Sequence, residues 1–127
     1  MRHWFAHCAR AATGRYSDGA ALHALWKQQE ARCAYTTLPL TPGYNASIDH
    51  VIPPSRGGAQ SVENLRWVHT IVNRTKSDMT YEELIDLSAL LLENASVERR
   101  RGLAVEYLTE SGLRWKIADR AGKGRTA

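Results

Sequence analysis

Residues 47–58 read SIDHVIPPSRGG, and this stretch constrains the chain more than any other. Ile48, Val51 and Ile52 suit an extended strand, but Pro53 and Pro54 lack an amide donor and lock φ, so no ladder runs past them. Gly57 and Gly58 then open backbone conformations that other residues avoid. A strand must stop here and a tight loop must follow. Asp49 and His50 lie inside the strand-like part, and burying a carboxylate beside an imidazole is costly unless both find partners. The pair is therefore either a surface feature or a site.

The 127 residues suffice for one domain with a hydrophobic core and are too few for two comfortable ones. The expected division is an N-terminal helical segment over residues 1–30, a central core over 31–95, and a basic extension over 96–127. Seventeen Lys and Arg against thirteen Asp and Glu give a net charge of +4, which favours a polyanionic partner. The distribution is more telling than the sum. Residues 79–98 hold five acids and no base, whereas 99–127 hold eight bases against three acids. Two cysteines, Cys8 and Cys33, cannot build a disulfide framework, and the N-terminus has no apolar run of the signal-peptide kind. No stretch approaches the roughly 18 apolar residues of a membrane span. An intracellular protein, in the cytoplasm of a bacterial host, is expected.

Patterning predicts an α+β order. Residues 3–12 suit a short helix, and Asp18 is placed to cap a second one through Arg32, with Leu22, Leu25 and Trp26 on one face. Residues 33–45 suit an edge strand and loop, and 46–52 a second extended segment. Residues 64–69 alternate as a strand, with a short helix over 70–78. Thr80 and Glu83 form a capping-box pattern for a helix over 81–94, whose Leu84, Ile85, Leu87, Leu91 and Leu92 stripe is expected to face the core. Further on, a helix from Ser96 to about Leu108, an alternating segment at Leu113, Trp115 and Ile117, and a disordered Gly/Lys/Arg tail are expected.

Fourteen residues after His50 comes Asn64, in ENLRWVH, and nine later Asn73, in VNRTKSD. Together IDHVIPPSRGG, ENL and VNRTK resemble the HNH endonuclease family, in a His-Asn-Asn variant of its ββα-metal, or His-Me, finger. The spacing and NRTKSD resemble the HNH domain of RNA-guided CRISPR nucleases, and RCAYTTLPL, RWVH and SDMTYEEL resemble small phage and bacterial HNH proteins. The resemblance spans about residues 31–93. It implies a ββα core between N-terminal helices and a C-terminal helical extension.

The resemblance also implies roles. His50 would be the general base, since an imidazole is largely neutral yet basic at pH 7. Asp49 and Asn73 would offer oxygen ligands to Mg²⁺, with Mn²⁺ or another divalent ion as a substitute. Adjacent strand residues point to opposite faces, so a broken strand end is needed for Asp49 and His50 to share a site. Asn64, across the Pro/Gly loop, would orient the imidazole, and Lys76, one turn after Asn73, would contact the phosphate. Arg56, Arg66 and Arg74, with Arg114 and Lys116 from the C-terminal segment, are the candidates for DNA contact. Many relatives hold a structural zinc on two Cys-x-x-Cys pairs. Here those positions are Cys33/Thr36 and His69/Val72, too few ligands, so no zinc is expected and Cys33 and His69 are assigned to packing. The leading expectation is a DNA endonuclease that nicks as a monomer. The rivals are an inactive DNA-binding module and an accessory protein of a phage or mobile-element packaging or replication complex.

Overall fold

The computed structural model describes residues 2–95, with the order α1 (Arg2–Thr13), α2 (Gly19–Gln28), β1 (Ala46–His50), β2 (Leu65–His69), α3 (Thr70–Lys76) and α4 (Tyr81–Asn94). Two antiparallel strands, with Ile48 opposite Trp67 and His50 opposite Leu65, lead directly into α3 and form the ββα unit. The architecture is α+β. The expected C-terminal helix, the 113–117 segment and the tail, with Arg114 and Lys116, lie outside the described residues.

Trp67 on β2 is the hub of the core. Its ring stacks on Trp4 at 5.0 Å and meets Trp26 edge-on at 5.2 Å, while its indole N–H donates to the Leu22 carbonyl at 2.9 Å. That bond satisfies the one polar atom a buried indole brings with it. Phe5 and Ala9 of α1 and Leu22 of α2 join the same cluster, so α1 and α2 pack together on one face of the hairpin. Gly19 permits their close approach, because a Cβ there would lie 2.9 Å from the Ala6 Cα.

Several expected elements differ. Helix α2 stops at Gln28 rather than Arg32, since Glu30 and Ala31 both take positive φ, 57° and 56°. Asp18 does not cap it by side chain; its carboxylate is bound by Arg15, Nε to Oδ2 at 3.0 Å. The freed Gln29 side chain accepts from the Trp67 amide at 3.0 Å and donates to the Trp67 carbonyl at 2.9 Å, covering the outer edge of β2. Residues 33–45 make turns with one isolated bridge, Arg32 to Pro39, instead of an edge strand. At Trp67 the edge is taken by the Gln29 side chain and by the Ala34 amide, which donates to the Trp67 carbonyl at 2.9 Å, and this leaves little for a third strand to pair with.

Helix α4 begins where expected, and its capping box is complete: the Thr80 amide donates to Glu83 at 2.9 Å and the Glu83 amide to the Thr80 hydroxyl at 3.1 Å. The stripe, however, is not core. No α4 side chain is buried, and Ile85, Leu87, Leu91 and Leu92 are all exposed, as is Leu90. The helix is tied down at its first turns, where the Tyr81 ring packs at a tilt against Tyr35 and Glu83 pairs with Arg56. Those contacts lie at one end, so they do not bring the remaining turns onto the core. No described helix is long and apolar enough to cross a membrane.

Candidate active site

The loop after β1 is built around Asn64. Its amide nitrogen donates to the carbonyls of Ile52 and Ala59, both at 2.8 Å, and its amide oxygen accepts from the Ile52 N–H at 3.0 Å. The Asn64 carbonyl also takes the Val51 amide at 2.8 Å. One side chain thus closes both ends of the Pro/Gly segment. Gly57 adopts φ 87°, and a Cβ at Gly58 would lie 1.7 Å from the Ile52 carbonyl oxygen. The glycine pair is required by close approach as well as by backbone sign. Asn64 was expected to hold the imidazole directly. Its amide is instead committed to the loop backbone that follows His50.

The strand ends at His50, which still pairs with Leu65, so the break falls before Val51 as expected but after the pair rather than between its members. Strand alternation therefore separates the two side chains. His50 turns toward the end of α1, where its Nε2 lies 3.3 Å from the Ala12 carbonyl. Its ring borders an open cleft of about 330 Å³ lined by Cys8, Ala11, Ala12 and Ile48 among others. Asp49 turns toward α3.

There the carboxylate is enclosed. Lys76 donates to Asp49 Oδ1 at 3.0 Å and to the His50 carbonyl at 2.9 Å, and Tyr35 donates to Oδ2 at 2.5 Å. Asp49 is 3 % exposed and Lys76 is fully buried. Burial pushes the Tyr35 hydroxyl well above its ordinary range, with the Asp49 hydrogen bond and charge adding to it, so Tyr35 keeps its proton. Lys76 was expected to reach a substrate phosphate. It lies inside the fold, paired with Asp49.

Asn73 is one turn before Lys76 on the same side of α3. Its amide nitrogen donates to the Ser47 hydroxyl at 2.6 Å and toward the Ile48 carbonyl at 3.4 Å. Ser47 and Asp49 are two apart on β1, so they share the face that Asn73 and Lys76 cover. The Asp49 carboxylate and the Asn73 amide oxygen are hard donors on that common face, a chemistry that suits Mg²⁺ or Mn²⁺. Among the described residues, no three His, Cys, Asp or Glu gather into a metal-holding cluster.

The arginines divide. Arg56 is bound by Glu83, which holds the Glu83 carboxyl at a pKa of about 2, the Arg56 hydrogen bond acting first and the Thr80 amide next. Arg66 folds back on backbone, donating to the Leu65 carbonyl at 2.7 Å. Arg74 is exposed on α3. Cys33 is buried in the core, and His69 is buried at the start of α3, where its Nδ1 accepts the Ile71 amide at 3.1 Å. Sequence reasoning missed Tyr35, Ser47 and the Ala12 carbonyl. No spacing rule links Tyr35 to Asp49 or α1 to His50, since each contact is made by folding alone.

Residues 33–81 match the family model of HNH endonucleases, a match that spans the ββα unit described above. No curated protein matches the chain. The family is one of nucleases that generally use divalent metal ions and act on nucleic acid.

Proposed function

We propose that this chain is a metal-dependent DNA endonuclease that hydrolyses phosphodiester bonds and, as a monomer with one site, nicks one strand at a time. The observation that carries the reading is the His50 imidazole, bordering an open cleft with Nε2 against the Ala12 carbonyl at 3.3 Å. A carbonyl oxygen only accepts, so the ring proton resides on Nε2 and the lone pair on Nδ1. Nδ1 is then the atom that takes a proton from the attacking water. Asn64 acts on this base at one remove, by holding the loop that leaves His50.

Asp49 and Asn73 are the residues that would hold the divalent ion, and bound there it would supply Lewis-acid stabilisation of the scissile phosphate. Arg56 and Arg74, exposed on the loop and on α3, would meet neighbouring phosphates. A second reading, a nucleic-acid-binding module without cleavage, is favoured by two features: both Asp49 oxygens are already engaged, and strand alternation sets the His50 and Asp49 side chains on opposite faces of β1.

Supercoiled plasmid incubated with the full chain in Mg²⁺, Mn²⁺ or EDTA separates the two. Nicked circles with the divalent ions and none with EDTA are expected. His50→Ala should lower the rate by about 10²- to 10⁴-fold at unchanged DNA affinity, the usual contribution of a positioned general base. Binding with no nicking under any ion would leave the second reading.

A further inference from the structure

The Asp49–Lys76 pair is a buried ion pair at the place proposed above for a divalent ion. The ammonium has no solvent exposure and sits 3.0 Å from Asp49 Oδ1 and 2.9 Å from the His50 carbonyl oxygen. Those two oxygens form the kind of hard, partly anionic pocket a small cation prefers. Lysine therefore already fills the role of cation there. Tyr35 closes the other carboxylate oxygen.

We propose that Lys76 is a resident counter-cation of Asp49 that a divalent ion must displace, so that metal entry and withdrawal of the ammonium are one exchange. The inference rests on Asp49 being a metal ligand. A divalent ion held by Oδ1 would have to share that oxygen with the ammonium that already lies 3.0 Å from it. Two cations so close in an enclosed site repel strongly, because little solvent screens them. The exchange has a structural consequence as well. Lys76 ends α3 and bonds the last residue of β1, so its departure loosens the contact between helix and strand beside His50. In the metal-free protein the lysine keeps the unpaired carboxylate from destabilising the fold; with metal bound, that task passes to the ion.

The test is Mn²⁺ titration, by calorimetry and by thermal unfolding in EDTA and in Mn²⁺, of the full chain and three variants: Lys76→Met, Lys76→Gln and Asp49→Asn/Lys76→Met. Without metal, Lys76→Met should melt on the order of 10–20 °C below wild type, as expected for an orphaned buried charge in a domain of this size. Mn²⁺ should restore much of that loss, and should bind Lys76→Met and Lys76→Gln at least about tenfold more tightly than wild type. The double variant, with neither charge, should show no Mn²⁺ response. Mn²⁺ affinity equal to wild type in Lys76→Gln, which keeps a donor for Asp49 but no charge, overturns the exchange even if Lys76→Met does not fold. Plasmid nicking is read in parallel. Tighter Mn²⁺ binding in the variants with no nicking by wild type keeps the exchange and removes the nuclease reading, whereas nicking by wild type with unchanged affinity does the reverse.

Discussion

Helices α3 and α4 invert the usual relation between residue type and burial. The seven-residue α3 buries a lysine completely, while the fourteen-residue α4 leaves Leu90, Leu91 and Leu92 each more than half exposed. The difference lies in what faces each helix. Asp49 and the His50 carbonyl give the Lys76 ammonium two acceptors, and its methylene stem fills the space between α3 and β1. The leucines of α4 follow a tether made at one end, through Tyr81 and Glu83. An apolar stripe states only that burial would be favourable; position decides whether it happens.

The strongest way to break this comparison is to remove the acceptor that keeps the lysine inside. Asp49→Ala should destabilise the domain by about 3–5 kcal/mol, since it orphans a buried ammonium, and urea unfolding of the variant measures it. A loss below about 1 kcal/mol would mean that the stem alone accounts for the burial of Lys76.

Gly58→Ala comes next. Its Cβ would meet the Ile52 carbonyl carbon and oxygen at 2.5 and 1.7 Å, both backbone atoms, so the loop must shift. We expect a loss of about 1–3 kcal/mol together with slower plasmid nicking, because the shift reaches Asn64 and the backbone following His50. Unchanged melting and unchanged nicking would separate the loop from the site.

The tether of α4 predicts a pH signature. The folded Glu83 carboxyl lies at about 2, below its ordinary 4.5, so its contribution is complete above pH 4.5 and fades as pH falls toward 2. The melting difference between wild type and Arg56→Ala should therefore be greatest above pH 5 and vanish near pH 2. A difference that grows on acidification would contradict the pairing.

The smallest effect belongs to the exposed stripe. Leu90→Gln with Leu91→Gln should change the stability of the full chain by no more than about 0.5 kcal/mol, as at other surface positions. A loss above about 2 kcal/mol would show that something covers α4, and the contrast with α3 would then narrow.

Much was legible beforehand. The two strands and the loop between them follow from the Pro/Gly segment and the Leu65–Trp67 alternation, and the start of α4 from the Thr80/Glu83 box, because turns, strand periods and caps are local properties. The match of residues 33–81 to HNH endonucleases bears out the family read from IDHVIPPSRGG, ENL and VNRTK. The early stop of α2 was not legible: the chain turns to positive φ at Glu30 and Ala31, which sets the Gln29 amide, at the end of the helix, against both backbone groups of Trp67, thirty-eight residues away.

The order of residues alone thus determined where the chain turns and that β1 carries adjacent Asp49 and His50, whereas the closing of the Pro/Gly loop by the Asn64 amide came from the fold. Only the tertiary structure decided that the adjacent pair divides across the strand, His50 to the α1 carbonyl and Asp49 to Lys76 and Tyr35. Local patterns report what a backbone can do with its near neighbours. The partner of a buried charge is chosen by whichever distant group reaches it first with the right geometry, and desolvation makes that choice binding.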